Sequence, residues 1–329
     1  MILRWLTALA SPAGARAKLA TFIFHRVPAA PDPMFPSEPD ARRFDEMVRW
    51  IRSQFRVLEP VQACERLMAG TLPSRAAIIT FDDGYRDNLE VATPILERHG
   101  VRAAFFIATG YMEGGAMFND RVFEALRTTE RRELDLAGLL TAEDKIAERP
   151  DEEGAVVVRL GEFSQRRSLA ERLVLAIKHR PPEERLDAVR ALEEQCGVQG
   201  SFDPMMSPEE VSALAKQGMA IGGHTRTHPI LESVPDPVAR DEIEGGRADL
   251  RALLRGEVDL FAYPNGRFGR DFSDRHREMV EDAGYRFAFT TDPGAATARS
   301  DPRMLPRFTP WDRSHIRFGV RALRNLSGD

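Results

Sequence analysis

Two adjacent carboxylates, Asp82 and Asp83, follow an apolar, partly β-branched run at residues 77–81. Within a regular strand, neighbouring side chains point to opposite faces, so the two acids cannot share one site there. At the end of a strand, Gly84 allows the chain to turn, and both carboxylates can then face the same site. Two carboxylates held together repel each other unless a cation lies between them or one is protonated. The alternative for this motif alone is a solvated Asp-Asp-Gly turn without chemical function.

Two histidines, His224 and His228, are four residues apart and follow an apolar segment that ends in two glycines. Helical zinc-protease motifs share this spacing. Here, however, Pro229 disfavours helical angles at His228, and no glutamate follows His224 directly. We therefore predict a loop after a strand. Taken with the carboxylates at another strand end, the histidines indicate a His-His-Asp metal site; two loop histidines with ordinary hydrogen bonds are the alternative.

These motifs lie in a chain where apolar strands and amphipathic helices alternate. Strands are predicted at residues 21–24, 56–58, 77–81, 103–108, 219–223, 258–263, 287–289 and 303–308. Because the motifs follow the carboxyl ends of strands, this layout predicts an α/β fold, a distorted (β/α) barrel of about seven strands with its site at the carboxyl rim. We expect a single domain over 1–329, with a mostly helical, charge-rich insertion at about 119–200.

Composition limits the other function classes. The chain has 329 residues, 43% hydrophobic and 29% charged, with a net charge of -5, which predicts a globular protein and argues against a nucleic-acid partner. Its two cysteines, Cys64 and Cys196, form no C-x-x-C pair, so neither a disulfide framework nor a thiolate zinc site is expected. Residues 1–10 predict an amphipathic helix rather than a cleaved signal peptide, with peripheral membrane contact as one role open to it. A cytoplasmic location is expected.

The chain contains three motifs, TFDDGY at 80–85, HTRTHP at 224–229 and FAYPNG at 261–266. Together they resemble the motifs of the polysaccharide deacetylase (NodB homology) family of carbohydrate esterases. Their order and spacing cover roughly residues 20 to 310, which makes the combination specific although no single motif is. The resemblance implies hydrolysis of N-acetyl groups on an N-acetylated glycan or glycolipid.

The resemblance also implies a role for each motif residue. Asp83, His224 and His228 would hold a divalent metal ion, most often Zn²⁺, leaving coordination positions open as catalytic zinc requires. Asp82 would be the general base that takes a proton from the attacking water. A backbone N–H at Tyr263 would stabilise the oxyanion.

The chain departs from the family pattern at two points. The family commonly has an arginine at the position of Ala262, where it pairs with the base aspartate; here we predict Arg307 as the replacement partner of Asp82. The usual Leu-x-x-His, whose histidine protonates the leaving amine, is absent near 305–309. His25 is the expected general acid, because residues 24–27 resemble the poly-N-acetylglucosamine deacetylase branch. His315 is the alternative, and a purely structural strand-end role for His25 also stays open.

These inferences predict a metal-dependent hydrolase that removes N-acetyl groups from a sugar of a polysaccharide or glycolipid. Two other functions are compatible with the same motifs. One is hydrolysis of a different non-peptide amide, such as a cyclic amide or ureide. The other is a catalytically silent glycan-binding protein, which the missing arginine would allow; the presence of both aspartates argues against it, because a binder needs no base. Cobalt, nickel and iron suit the same donors as zinc.

Overall fold

The computed structural model describes residues 2–136, 139, 157–310 and 312–327. A parallel sheet of seven strands curls into a half-barrel, the distorted (β/α) barrel that the sequence predicts. Its strands are β1 (Ala20–Phe24), β2 (Arg56–Val57), β3 (Ala76–Phe81), β4 (Ala104–Ile107), β7 (Ala220–Gly223), β8 (Leu260–Ala262) and β9 (Phe287–Phe289). The two intervening strands, β5 (Glu133–Asp135) and β6 (Val157–Arg159), form a separate antiparallel pair. The main sheet runs in the order β1-β3-β4-β7-β8-β9, and β2 pairs with the start of β3.

Helices connect the strands. They are α1 (Ile2–Ala10), α2 (Ala41–Gln54), α3 (Pro60–Met68), α4 (Thr93–Arg98), α5 (Phe118–Thr128), α6 (Phe163–Ile177), α7 (Pro182–Cys196), α8 (Pro208–Lys216), α9 (Asp236–Leu254), α10 (Asp274–Asp282) and α11 (His315–Ser327). The start of α8 shows how sequence sets these bounds: Ser207 and Glu210 form the reciprocal capping box that their spacing predicts. In the described part of the chain, no helix combines the length and apolarity needed to cross a bilayer.

The sheet is buried on both faces, as is usual when helices cover a parallel sheet. All residues of β1, β3 and β4 are buried. Two glycines in β7 permit unusually close packing: a Cβ on Gly222 would lie 2.6 Å from the Phe106 ring, and one on Gly223 would lie 2.0 Å from the Tyr285 hydroxyl. The strand that carries the histidine motif therefore has no room for side chains at its end.

The last predicted strand, 303–308, is not a strand. Leu305 and Phe308 make isolated parallel bridges instead, to Phe289 of β9 and Phe22 of β1. Pro306 lies between them and has no N–H to donate, which interrupts a regular ladder. The consequence is that residues 305–308 link the last strand of the sheet to the first. Arg307 belongs to this linking segment.

The described chain divides into two compact units. One comprises residues up to 30, 37–113 and from 205 onward, and contains the parallel sheet. The other comprises residues 31–36 and 114–204, where α5, α6, α7 and the β5–β6 pair surround their own apolar core. The helical insertion expected at about 119–200 lies in this second unit, although its residues 137–138 and 140–156 are outside the described part. The small antiparallel sheet and the contribution of residues 31–36 were not predicted.

Candidate active site

The first motif turns sharply where β3 ends. The backbone N–H of Asp82 still donates to the Phe24 carbonyl at 3.0 Å, continuing the pairing with β1. Asp83 and Gly84 then adopt φ angles of 76° and 91°, in the left-handed region. A non-glycine residue there is strained and persists only where its surroundings fix it. The turn buries both carboxylates at the carboxyl end of the sheet.

Asp82 forms a buried ion pair with Arg307. The guanidinium Nη1 and Nη2 lie 2.6 and 2.8 Å from the two carboxylate oxygens, and Nε donates to the Thr290 carbonyl at 2.9 Å. Burial raises the pKa of Asp82, but the charge of Arg307, aided by the His224 ring, outweighs burial and holds the pKa below its usual value. The predicted pairing of Arg307 with Asp82 is confirmed. The protein thus carries a fixed cation for one of its two adjacent acids.

Asp83 faces the two histidines instead. Its Oδ1 lies 3.4 Å from Nε2 of His224 and 3.5 Å from Nε2 of His228. One donor atom from each of these three residues lies within 4.8 Å of the other two. Two ligand atoms bound at about 2.1 Å in a tetrahedral arrangement are about 3.4 Å apart, so these donors fit a single divalent ion.

The two histidines differ in protonation. Burial lowers the pKa of His228 to about 4 against the attraction of Asp83, so its ring is neutral and can act as a ligand. Burial also acts on His224, but Asp82 and Asp83 outweigh it and raise the pKa of that ring. Nδ1 of His224 donates to the Ala262 carbonyl at 2.7 Å, which leaves Nε2 directed at Asp83.

Helix α9 holds the histidine loop in position. Glu242 accepts the backbone N–H groups of Arg226 and Thr227 at 2.8 and 2.7 Å and the Thr227 hydroxyl at 2.5 Å. Asp249 accepts the Arg226 guanidinium in a bidentate pair, at 2.9 and 3.0 Å, and the Thr109 hydroxyl at 2.8 Å. These fixed contacts support a loop in which both Thr225 and His228 have positive φ angles. His228 is therefore not right-handed helical, as Pro229 predicts.

Glu242 and Asp249 are functional-site residues that the sequence analysis missed. A signal was present in the glycine pair Gly245-Gly246, which a helix interior normally disfavours. A Cβ on Gly245 would lie 2.4 Å from the Arg226 guanidinium carbon, and one on Gly246 would lie 3.1 Å from the backbone of Thr225. The glycines let α9 approach the loop closely.

The two candidate general acids, His25 and His315, lie in different environments. His25 directly follows Phe24, which pairs with Phe81 just before Asp82, so it lies at the same end of the sheet as the two carboxylates, and its charge contributes to lowering their pKa values. In contrast, His315 is exposed at the start of α11, where its Nε2 lies 3.3 Å from both Ser53 and Gln54. Its ring stacks on Trp50 of α2, so its contacts are with α2.

The environment of Tyr263 does not fit the predicted oxyanion role. Its backbone N–H donates to the Phe289 carbonyl at 3.1 Å, because pairing of β8 with β9 continues one residue past the regular strand. Its hydroxyl donates to the Arg303 carbonyl, and its ring stacks on Phe272 with centroids 3.7 Å apart. Two residues later, Asn265 has a φ of 59°, and its N–H donates to no acceptor among the described residues. In this loop, the backbone N–H of Asn265 is thus available as a donor, whereas that of Tyr263 is not.

Comparisons with known proteins agree with this architecture. Among solved structures, IcaB from Ammonifex degensii has a TM-score of 0.57 at 17% identity, with 95% of this chain and 98% of that chain aligned. The Streptococcus pyogenes deacetylase PplD, solved with acetate, has a TM-score of 0.55 at 17% identity, with 89% and 92% aligned. A de-N-acetylase from Aggregatibacter actinomycetemcomitans has a TM-score of 0.54 at 13% identity, covering 92% and 99%. At these identities the similarity establishes the fold.

Sequence comparison identifies the family. "Putative polysaccharide deacetylase YxkH" of Bacillus subtilis (strain 168) is 30% identical over 93 residues, which is 28% of this chain and 32% of that protein. The match therefore spans about a third of that relative's length. The family model described as "Polysaccharide deacetylase" matches residues 69–148 and 183–288, more than half of the chain and all three motifs. The chain belongs to the polysaccharide deacetylase family.

Proposed function

We propose that this protein is a metal-dependent deacetylase that removes N-acetyl groups from a sugar of a polysaccharide or glycolipid. The observation that carries the proposal is the cluster of Asp83, His224 and His228 directly beside an ion-paired carboxylate, Asp82. Amide hydrolysis needs an electrophilic centre and a base at one place. Membership of the polysaccharide deacetylase family supports the choice of acetamide over other amides.

In this proposal Asp83, His224 and His228 hold the metal ion. Two imidazoles and one carboxylate are a donor set typical of catalytic zinc, so Zn²⁺ is the proposed ion. When bound, it supplies a Lewis acid that polarises the acetamide carbonyl and increases the acidity of water. The Ala262 carbonyl keeps His224 in the tautomer that a ligand requires.

The remaining steps belong to the chain's own side chains. Asp82 takes a proton from the attacking water, and Arg307 keeps its carboxylate ionised and fixed in orientation. His25 gives a proton to the departing amine of the sugar. We assign stabilisation of the oxyanion to the backbone N–H of Asn265 in place of that of Tyr263, because the latter is already used in the sheet.

The structure weakens one rival function. A silent glycan-binding protein was conceivable because Ala262 occupies the position of the family's arginine. Arg307 provides the equivalent ion pair from a different part of the chain, so that motif residue is replaced rather than lost. The buried, charge-balanced Asp82 gives a pure binding protein no evident benefit, since burying an ion pair is costly.

Acetate release tests the proposal directly. The protein is stripped with a chelator, reloaded with Zn²⁺ or left apo, and incubated with N-acetylglucosamine oligosaccharides. We expect acetate from the reloaded sample only. A panel of cyclic amides and ureides, incubated in parallel, tests the rival amide hydrolase. Hydrolysis confined to that panel would reject the N-acetyl substrate, and acetate release unaffected by chelation would reject the metal.

A further inference from the structure

The two terminal helices of the described chain pack against each other. Leu3 of α1 lies over Gly319 of α11, where an added Cβ would come within 2.7 Å of the leucine methyl group. Thr7 on the same helix is buried. Both helices therefore have an inner side fixed to the protein. We call the exposed side chains of α1 and α11, together with the flanking Arg16 and Arg313, the terminal face.

The terminal face is unusually apolar for an exposed surface. Ten large hydrophobic side chains are exposed in the described part of the chain, and five of them belong to these two helices. On α1 they are Ile2, Trp5 and Leu9, a spacing that places them on one side, and Trp5 is 63% exposed. On α11 they are Ile316, 72% exposed, and Val320 one turn later. Clustered exposed apolar side chains mark sites of interaction.

The terminal face is also cationic, although the whole chain has a net charge of -5. Neither the first 31 residues nor residues 313–327 contain any aspartate or glutamate. Within the described residues, none of its exposed arginines forms an ion pair with a carboxylate; they are Arg4, Arg16, Arg313, Arg317 and Arg324. Such pairs are common elsewhere on this surface, for example between Arg240 and Glu244.

The cationic character extends beneath α1. Arg75 is buried, and its backbone N–H donates to the Ser11 carbonyl just after this helix. Burial lowers the pKa of Arg75, and the charges of Arg4 and Arg56 lower it further. Like charges repel, and an external anion beside Arg4 would offset part of this repulsion.

We propose that the terminal face docks on the surface of an anionic lipid bilayer. Trp5, with Leu9 and Ile316, enters the boundary between headgroups and acyl chains, while the arginines contact lipid phosphates. Apolar residues on one helical face with flanking basic residues are the pattern of helices that lie in the plane of a membrane. Each arginine near an anionic membrane surface adds to the attraction, which falls with salt.

Vesicle sedimentation of the full-length protein tests this inference. We expect binding to vesicles that contain phosphatidylglycerol, weaker binding at high salt, and none to vesicles of phosphatidylcholine alone. The double variant Trp5→Glu/Leu9→Glu should abolish binding. Arg317→Gln/Arg324→Gln should weaken it by about fivefold for each charge removed. Quenching of tryptophan fluorescence by brominated lipids should be present in the native protein and absent in Trp5→Phe.

Matched control variants distinguish binding through the terminal face from non-specific binding to vesicles. Val238 on α9 and Arg299 are also exposed, so Val238→Glu and Arg299→Gln should bind vesicles as the native protein does. All variants should keep the native melting temperature, because the altered side chains are exposed. Equal vesicle binding by native protein and Trp5→Glu/Leu9→Glu would overturn the inference. A second result would also overturn it: the native protein does not bind vesicles but forms a dimer, and Trp5→Glu/Leu9→Glu dissociates that dimer. The terminal face would then be an interface between two copies of the chain.

Discussion

The two adjacent carboxylates of the candidate site have different partners, which divides the site into two halves. On one side, Asp82 has both oxygens bound to the buried guanidinium of Arg307. On the other, Asp83 faces two imidazoles, of which His228 is neutral near pH 7. The first carboxylate is balanced by a permanent charge of the protein, whereas the second has room and donors for an added cation. In the proposed function these neighbours in sequence therefore have separate tasks, Asp83 as a metal ligand and Asp82 as the general base.

Exchanging each carboxylate for an amide gives the largest effects that this comparison predicts. Asp83→Asn removes one of three donors, so metal content should fall to background and activity should vanish. Asp82→Asn leaves the donor set intact, so metal content should be native while kcat falls by about 10²–10⁴, the range for loss of a general base. Elemental analysis of the purified proteins measures the metal, and acetate release measures kcat.

The two variants are controls for each other, because both remove one buried carboxylate from the same turn. If Asp83→Asn retained a full complement of metal, the assignment of this half of the site would be wrong. If both variants lost the metal, the two carboxylates would act as one ligand group and the contrast between the halves would disappear.

Replacing Arg307 by methionine tests the other half. The change leaves Asp82 buried and uncompensated, which should lower the free energy of unfolding by about 3–5 kcal/mol at neutral pH. With the arginine gone, burial dominates and the pKa of Asp82 rises, so the acid limb of the pH–rate profile should move to higher pH. Denaturant unfolding and pH-dependent kinetics measure the two effects.

The sign of the pH dependence follows from the direction of the shift. The folded-state pKa of Asp82 lies below its usual value, so the ion pair stabilises the native protein fully above about pH 4 and less as the pH falls through the folded pKa. The double variant Asp82→Leu/Arg307→Met removes both charges and should recover most of the lost stability without activity. A single Arg307→Met variant with native stability would show that the pair contributes little.

The sequence predicted the parts of this site that depend on strand ends. Asp83, His224 and His228 follow strands of one parallel sheet, and the carboxyl ends of such strands share an edge, so their convergence follows from topology. The partner of Asp82 depended on more than topology. Arg307 reaches the carboxylate only because residues 305–308 bridge β9 and β1, where a regular strand was expected.

Two other features could not be obtained from local patterns. Glu242 lies on a helix rich in charged residues, where an acidic side chain is normally solvated, and only the neighbouring glycines hinted at a close approach. The predicted oxyanion role of Tyr263 does not fit, because one more residue of strand pairing uses its backbone N–H. Strand ends are the least certain part of a sequence-based prediction.

Glu242→Gln should weaken metal binding, although Glu242 is not itself one of the proposed metal ligands. A glutamine offers one carbonyl oxygen in place of two charged acceptors, so it cannot satisfy the Arg226 and Thr227 N–H groups and the Thr227 hydroxyl equally well. Supporting residues of this kind typically change metal affinity by about 10–100-fold. Competition with a zinc-sensitive dye measures the affinity. The exposed Glu244 on the same helix supplies the control, and Glu244→Gln should bind zinc as the native protein does.

An unchanged zinc affinity in Glu242→Gln would mean that the histidine loop keeps its shape without help from α9. The positive φ angles at Thr225 and His228 argue against that outcome, since strained residues relax when their supporting contacts are removed.

Tyr263→Phe should have the smallest effect. The hydroxyl donates only to the Arg303 carbonyl at 3.1 Å, so its removal should lower the free energy of unfolding by about 0.5–1.5 kcal/mol, with the ring stack on Phe272 retained. Because the hydroxyl contacts neither Asp82 nor the metal donors, kcat and zinc affinity should stay native. The buried Tyr285, whose hydroxyl lies a longer 3.5 Å from the Ile243 carbonyl, is the control, and Tyr285→Phe should destabilise the protein less. A loss of kcat of about tenfold or more in Tyr263→Phe with metal retained, equal to at least about 1.4 kcal/mol of transition-state stabilisation, would place this phenol in the chemistry of Asp82's half of the site.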